Sequence, residues 1–327
     1  MSDFEFFDLF PNIYQLHLPI PKNPLKYLNS YFIKGKNFNL IIDCGLNHNE
    51  VEKILFAAIK ELNFSPSNTK LLLTHCHSDH SGLSVKLNEY GIIILVEPTE
   101  LKVINDPFIW EKESEALKSL GVPEDILEQA KETQVAYKFR PKGEIKFYYP
   151  LKDGERLDLG NFVFQAIHTP GHTRGHICLY DEDHKILFSG DHILKDITPN
   201  ISQFYEHELA LDSYLKSLDK IKDLDVKLVL PGHRTHFFDL KTRIKELKDH
   251  HQKRLKEVLD IVKNNPGLTP FEVASYMSWD INYSSWEDFP PTQKWFATEE
   301  AYAHLKYLVI NGTIKEEKDK IKRFYYS

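Results

Sequence analysis

The sequence predicts an α/β fold followed by a small helical domain. Two observations indicate the α/β class: short apolar runs recur along the chain, and amphipathic helical patterns separate several of them. A third observation marks the second domain, because helical patterns replace the strand-like runs after residue 240. We therefore assign residues 1–240 to a first domain, with a helical insert at about 98–150, and residues 241–327 to a second.

The N-terminal part of the chain has the pattern of several strands and one helix. Residues 49–62 carry apolar side chains on one face, which is typical of an amphipathic helix. Asn49 is its predicted N-cap, and Glu52 occupies the capping-box position. Strands are predicted at 13–18, 31–33 and 40–42.

The densest cluster of candidate ligands follows an apolar run at 71–73. Residues 74–82 read THCHSDHSG and place three histidines and one aspartate within six residues. On an extended backbone alternate side chains point to one side, so this loop offers ligands to two neighbouring positions. Imidazole nitrogens suit zinc, iron or copper, and a carboxylate also binds hard ions or orients water. The candidate ligands are His75, His77, Asp79 and His80.

The insert at 98–150 interrupts the alternation of strands and helices. Helices are predicted at 110–120 and 123–133, and the segment is rich in aromatic residues. One interpretation is a helical layer that packs its aromatic side chains inward. The other is a lid that shapes a substrate pocket, with Trp110 as the residue that tests it.

Three later apolar runs also end in ligand-type residues. The runs at 162–167, 186–188 and 226–230 lead into the motifs TPGHTRGH, SGDH and PGH. Glycine beside each ligand lets the backbone turn sharply and approach closely. Four strand ends can therefore converge on one site, to which these motifs contribute His172, Asp191 and His233. The remaining histidines, His176 and His192, either orient ligands or are ordinary hydrogen-bonded side chains.

The last part of the chain reads as three helices and a hairpin. A long apolar stripe runs from Ile244 to Val262, and a capping box at Thr269, with proline next, begins a second helix. A third helix is predicted at 299–310, and strands at 314 and 321–325 complete a winged-helix pattern. Asp153-Gly154, earlier in the chain, is a further hairpin signal.

Together, these motifs resemble the metallo-β-lactamase superfamily in type and order across about residues 12–240. The resemblance implies a four-layer αβ/βα sandwich that holds two divalent metal ions. It implies that His75, His77 and His172 hold the first ion and that Asp79, His80 and His233 hold the second. Asp191 would bridge both. The histidine-rich ligand set favours zinc, with iron and manganese as alternatives.

The same resemblance implies a dinuclear metal-dependent hydrolase. Two ions about 3.5–4 Å apart activate a bridging hydroxide, which attacks an electrophilic carbon or phosphorus. Asp79 is the candidate catalytic residue, since it can orient that water and take up a proton. Our preferred function is hydrolysis of a small ester, thioester or lactone, as in relatives of glyoxalase II. The alternatives are a metal-dependent endoribonuclease and an iron-dependent oxidoreductase of the same superfamily.

The C-terminal pattern is similar to that of the superfamily branch that includes a mitochondrial endoribonuclease. A winged helix binds nucleic acid in some proteins and only packs or dimerises in others. The net charge of −7 argues against broad nucleic-acid affinity. We therefore expect a small-molecule substrate, with RNA as the alternative, no membrane partner, and a homodimer as an open possibility.

Cysteine usage and the chain's N-terminal sequence bear on its location. Three cysteines in 327 residues indicate reduced thiols. Cys76 lies between two candidate ligands, but on an extended backbone its thiol points away from them, so we interpret it as a packed thiol. The N-terminus lacks a basic signal region, and no apolar run reaches the ~20 residues of a membrane helix. These features predict a cytoplasmic protein.

Overall fold

The computed structural model describes residues 5–203, 207–280 and 283–327. Its strands are β1 (Phe6–Phe10), β2 (Ile13–Pro19), β3 (Tyr27–Ile33), β4 (Asn39–Ile42), β5 (Thr69–Leu72), β6 (Ile93–Val96), β7 (Tyr148–Pro150), β8 (Arg156–Asp158), β9 (Val163–His168), β10 (Ile177–Asp181), β11 (Ile186–Gly190), β12 (Leu228–Pro231), β13 (Ile314–Glu317) and β14 (Arg323–Tyr326). Its helices are α1 (Asn49–Glu61), α2 (Ser78–Ser81), α3 (Ser84–Glu89), α4 (Pro98–Ile104), α5 (Ile109–Ser119), α6 (Glu124–Thr133), α7 (Val135–Lys138), α8 (Ala210–Ile221), α9 (Leu240–Asn264), α10 (Pro270–Tyr276) and α11 (Pro291–Ile310).

Two mixed sheets form the centre of the fold. Sheet A has the order β1-β2-β3-β4-β5-β6-β7, antiparallel up to β4 and parallel from there. Helices α1 and α3 connect its parallel strands, as expected for strands that run in one direction. Sheet B has the order β12-β11-β10-β9-β8, and only β11 and β12 are parallel. The predicted α/β class is confirmed.

The two sheets face each other across one hydrophobic core. Successive residues of a strand point to opposite faces, so Ile42 of β4 joins the core between the sheets while Ile41 packs under the helices of sheet A. Tyr31 of sheet A meets Phe188 of sheet B edge to face, with ring centroids 5.0 Å apart. Helices α1, α3 and α4 cover the outer face of sheet A. This arrangement is an α/β sandwich, as the family resemblance implies.

Two predicted local features were wrong. The N-cap of α1 is His48, whose side chain accepts a hydrogen bond from the Glu50 amide, so Asn49 is already helical. Histidine is an uncommon cap, which is why the sequence favoured asparagine. Asp153-Gly154 forms a turn with Gly154 at φ +79°, but it joins β7 of sheet A to β8 of sheet B and therefore closes no hairpin.

The chain folds into two compact units. One comprises Met1–Pro107, Val135–Pro199 and Asp219–Arg243, and the other comprises Phe108–Gln134, Asn200–Leu218 and Ile244–Ser327. The second unit combines the C-terminal segment with two earlier segments of the chain, so no single position in the sequence separates the two units. The division into domains at 1–240 and 241–327 stays a prediction.

The helical insert contributes buried aromatic packing to the second unit. Trp110 on α5 is 6% exposed and stacks on Trp295 of α11, with ring centroids 4.4 Å apart and planes at 29°. This contact favours inward packing for Trp110 over a lid. Phe108, two residues earlier, is 64% exposed.

Replacing Trp110 with alanine should lower the free energy of unfolding by about 3–5 kcal/mol, the usual cost of removing a buried tryptophan. Chemical denaturation measures this change. Phe108→Ala is the matched control and should stay within about 0.5 kcal/mol of wild type, because its ring is exposed. A folded Trp110→Ala protein with wild-type stability but altered substrate kinetics would restore the lid hypothesis.

The C-terminal helices and hairpin are present in the second unit. Thr269 forms the predicted capping box with Glu272, and β13 pairs with β14. Helix α11 begins at Pro291, eight residues before its predicted start, because it is buried around most of its circumference and no single apolar stripe marks its first turns. The identification of these elements as a winged helix stays a prediction. Within the described ranges, no helix is both long enough and apolar enough to cross a membrane.

Candidate metal centre

The predicted ligands come together at the ends of four strands within the first unit. Strand β5 leads to the loop with His75 and His77, and β9 leads to the loop with His172. The first residue after β11 is Asp191, and β12 ends two residues before His233. In sheet B, β9 and β11 are both antiparallel to β10, and β12 is parallel to β11, so β9, β11 and β12 end at the same edge of the sheet.

The segment from His75 to His80 is not extended throughout. His77 precedes the short helix α2, and its carbonyl accepts hydrogen bonds from the amides of His80 (3.0 Å) and Ser81 (2.9 Å). Asp79 therefore lies on a helical turn, and the prediction of an extended run up to this residue was wrong. The turn nevertheless sends the side chains to two neighbouring positions.

His75, His77 and His172 form the first ligand group. His77 Nδ1 lies 2.9 Å from His75 Nε2 and 3.0 Å from His172 Nε2. All three candidate ligand atoms lie within 4.8 Å of one another. His75 is fully buried and His172 is 7% exposed.

Asp79, His80 and His233 form the second ligand group. His233 Nε2 lies 3.3 Å from His80 Nε2 and 3.3 Å from Asp79 Oδ2. The Asp79 side chain is 21% exposed, whereas those of His80 and His233 are buried. Asp79 is thus the member of this group that solvent reaches.

The Asp191 carboxylate lies between the two ligand groups. Its Oδ2 is 3.8 Å from His172 Nε2 and 3.4 Å from His233 Nε2, and its Oδ1 is 3.5 Å from His80 Nε2. Oδ1 is buried and accepts no hydrogen bond from the part of the chain that the structure describes. A Cβ atom at Gly232 would lie 2.5 Å from Oδ1, which explains the glycine of the PGH motif. A buried, unsatisfied carboxylate oxygen of this kind suits a cation.

Three histidines have their ring protons fixed by oxygen atoms outside the centre. His75 Nδ1 lies 3.0 Å from Thr74 Oγ1, and His233 Nδ1 lies 3.0 Å from the Tyr27 carbonyl. His80 Nδ1 lies 2.7 Å from a carboxylate oxygen of Asp43. With Nδ1 as the donor, the neutral form of each ring presents an Nε2 lone pair to the centre.

The spacing of the converging atoms fits metal coordination. The ligands of a tetrahedral zinc ion, bound at about 2.0–2.1 Å, lie about 3.3 Å from one another. Distances of 2.9–3.3 Å within the two ligand groups are close to this value. Nitrogen lone pairs and carboxylate oxygens that face one another are mutually repulsive unless a proton or a cation lies among them. The ligand set therefore fits two metal ions.

The pKa values of the histidines differ between the two ligand groups. Burial lowers the pKa of His75 well below its usual value, with the imidazoles of His80 and His77 adding to the effect. Burial likewise lowers the pKa of His77 to about 3. Burial also lowers the pKa of His80, but the carboxylates of Asp43 and Asp191 outweigh it and raise this pKa well above its usual value. His75 and His77 are therefore neutral, while the carboxylates beside His80 favour a positive charge in the second group.

The carboxylates of the centre are ionised. Burial raises the pKa of Asp79, but the imidazoles of His80 and His233 outweigh this effect and hold the pKa well below its usual value. The pKa of Asp191 is also held well below its usual value: burial raises it, but the charges of His233 and His80 dominate. These carboxylates favour a positive charge at the centre, which a divalent ion supplies better than an imidazolium proton.

Two buried acids that were not predicted from the sequence contact the loops that carry the candidate ligands. Asp43 accepts hydrogen bonds from Thr74 N (2.8 Å), Thr74 Oγ1 (2.8 Å) and His80. Glu100 accepts hydrogen bonds from the amides of Cys76 and Gly175. Asp43 directly follows β4, so the strand-end signal that revealed the ligands was present there too.

Three remaining sequence expectations concern neighbours of the ligands. His176 Nε2 accepts a hydrogen bond from the Asp191 amide (3.1 Å), and its Nδ1 lies 2.9 Å from Thr169 Oγ1, so His176 orients a ligand backbone. His192 is buried, with its ring 6.0 Å from that of His176. Cys76 packs against the core under α1 and α3 and belongs to neither ligand group, as expected for a packed thiol.

Comparison with known proteins identifies the family. The family model described as the Metallo-beta-lactamase superfamily matches residues 25–233, which include every candidate ligand named above. The chain belongs to the metallo-β-lactamase superfamily. A solved structure of the superfamily member TTHA1429 from Thermus thermophilus is 29% identical and superposes with a TM-score of 0.81, covering 98% of this chain and 100% of that one.

Two curated proteins that are similar to this chain carry names that state an activity. The Probable metallo-hydrolase YqjP of Bacillus subtilis is 27% identical over 269 residues, which is 76% of this chain and 79% of that protein. The human Acyl-coenzyme A thioesterase MBLAC2 is 28% identical over 224 residues, covering 64% of this chain and 74% of that protein.

Proposed function

We propose that this chain, a hydrolase of the metallo-β-lactamase superfamily, uses two metal ions to cleave acyl thioesters. The observation that carries the proposal is the pair of ligand groups that share one carboxylate, Asp191. The similarity to MBLAC2, whose name specifies an acyl-coenzyme A thioesterase, supports thioesters over other acyl substrates.

Each ligand group has a separate task in this proposal. In this proposal His75, His77 and His172 would hold one ion, and Asp79, His80 and His233 would hold the other. Asp191 lies close to histidines of both groups. Zinc fits a set dominated by imidazole, with iron or manganese as alternatives. When bound, the ions supply an activated water and polarise the acyl carbonyl.

Asp79 has the geometry to orient the attacking water. Its carboxylate is ionised, lies at the centre and is partly exposed, so a water molecule can donate a hydrogen bond to it. Because the pKa of Asp79 is held well below its usual value, Asp79 is a better hydrogen-bond acceptor than proton acceptor. The rings of His80 and His233, by contrast, are buried.

The first experiment combines elemental analysis with a substrate panel. The purified protein should contain about two metal equivalents and hydrolyse acyl-coenzyme A thioesters faster than lactones, oxygen esters or short RNAs. His77→Ala should abolish this activity, because it removes the Nδ1 atom that lies close to the Nε2 atoms of both His75 and His172. His236→Ala is the matched control and should retain wild-type rates, since His236 belongs to neither group.

Two outcomes would overturn the proposal. Absence of bound metal, even after reconstitution with zinc, iron or manganese, would remove the two-ion mechanism. Cleavage of RNA at rates above those for every thioester would replace the substrate class with that of a phosphodiesterase.

A further inference from the structure

Glu100 is a buried carboxylate that contacts two ligand loops. It lies in the first turn of α4 and is 1% exposed. Its Oε2 accepts a hydrogen bond from the Cys76 amide at 2.6 Å, and its Oε1 accepts one from the Gly175 amide at 2.5 Å. Each carboxylate oxygen therefore accepts a backbone hydrogen bond from one of the two loops.

The two loops belong to different sheets. Cys76 lies between His75 and His77, in the loop that follows β5 of sheet A. Gly175 lies three residues after His172, in the loop that follows β9 of sheet B. The first ligand group thus draws two histidines from one sheet and one from the other, and the spacing of these histidines depends on what joins the loops.

We propose that Glu100 is a positioning residue that joins these loops and fixes the spacing of the first ligand group, whether or not metal is bound. The proposal rests on the proposed metal site for its functional consequence, but the contact itself is independent of any ion. A backbone hydrogen bond from the Ile177 amide to the Thr74 carbonyl, at 2.9 Å, also joins the two segments. Glu100 adds a side-chain link beside the histidines themselves.

The chemistry of the contact requires a carboxylate. Both amides are donors, so the bridging group must offer two acceptor oxygens. Glutamine offers one oxygen and an NH₂ group, which would face an amide N–H and leave it unsatisfied. The close approach of Glu100 to this loop also requires glycine at position 175. A Cβ atom there would overlap Glu97 Oε2 and the Glu100 side chain.

The test uses backgrounds that each retain one ligand group. Glu100→Gln is introduced into His233→Ala, which keeps the first group intact, and into His172→Ala, which keeps the second. Zinc affinity is measured in each by competition with a chelator. In the first background we expect Glu100→Gln to weaken zinc binding about 10–100-fold, the usual effect of losing an outer hydrogen bond. In the second background it should leave zinc affinity unchanged. The zinc affinity of Glu100→Asp in the first background should lie between those of Glu100→Gln and of the protein with Glu100, since aspartate keeps both carboxylate oxygens.

Hydrogen exchange of the metal-free protein gives a second readout. In otherwise wild-type protein, Glu100→Gln should speed amide exchange in residues 74–77 and 172–176. Glu316→Gln is the control for general destabilisation, because it breaks a buried ion pair with Lys306 (2.7 Å) in the second unit. It should not speed exchange selectively in these two loops.

The outcomes separate this inference from the proposed function. Equal zinc affinity with and without Glu100→Gln in the His233→Ala background, together with unchanged exchange, would overturn the positioning role. Equal weakening in both backgrounds would also overturn it, since that indicates general destabilisation. A wild-type protein that binds no metal overturns the proposed function, while selective exchange in the two loops would still support Glu100 as their link.

Discussion

Replacing Asp191 with asparagine is expected to lower kcat/KM for thioester hydrolysis by about 10³-fold or more. Transition-state stabilisation by bound metal ions is worth several kcal/mol, and each ~1.36 kcal/mol is a factor of ten in rate. Asparagine preserves the shape that packs against Gly232 but removes the negative charge and one of the two acceptor oxygens between the ligand groups. Bound metal should fall from about two equivalents to one or fewer.

Steady-state kinetics and elemental analysis of the same preparation check this expectation. Asp196→Asn is the control, because Asp196 is an exposed aspartate five residues further along the same segment. Its rates and metal content should match those of wild type. Two equivalents of metal and near-normal kcat/KM in Asp191→Asn would show that this carboxylate does not bridge the two ligand groups.

Asp43 should give the largest change in stability of any single carboxylate near the centre. Its oxygens accept three hydrogen bonds, from the Thr74 amide, the Thr74 hydroxyl and His80. Removing one partner of a buried ion pair typically costs about 3–5 kcal/mol. Asp43→Asn should therefore lower the free energy of unfolding of the metal-free protein by about this amount, measured by denaturant unfolding.

The backbone at Asp43 makes asparagine the informative replacement. Asp43 has φ +59°, a left-handed conformation that asparagine tolerates better than other residues with a Cβ. Asp43→Ala should therefore destabilise more than Asp43→Asn, because it adds backbone strain to the lost hydrogen bonds. Asp183→Asn, at an exposed site, is the control and should change stability by less than about 0.5 kcal/mol. Wild-type stability in Asp43→Asn would contradict the account of His80 given above.

The convergence of the candidate ligands was predictable because they follow four apolar runs that end in ligand-type residues. A strand end is a local signal, and four such signals in one chain imply convergence without knowledge of the strand order. The backbone conformation of the segment from His77 to Ser81 was not predictable, since the four-residue helix α2 is too short to have a periodic pattern. Its start at Ser78 places Asp79 on a turn instead of a strand.

The supporting residues could not be recognised from local patterns. Glu100 acts through two amides that are distant from it in sequence, at separations of 24 and 75 residues. Such a contact exists only after two sheets have come together, so no window of sequence contains it. Asp43 had a local signal, but a single aspartate after a strand is common in loops and turns. The early start of α11 was missed for a related reason, because its burial depends on neighbours distant in sequence.

The contacts within each ligand group close very long loops of chain. His77 and His172 are 95 residues apart, and His80 and His233 are 153 residues apart. Closing such loops costs conformational entropy, so an unfolded chain rarely brings these residues together. The unfolded chain therefore offers no comparable binding site. A bound ion would link the segment after β5 to the segments after β9 and β12. Because it binds only the folded chain, its binding free energy would add to the stability of the folded state.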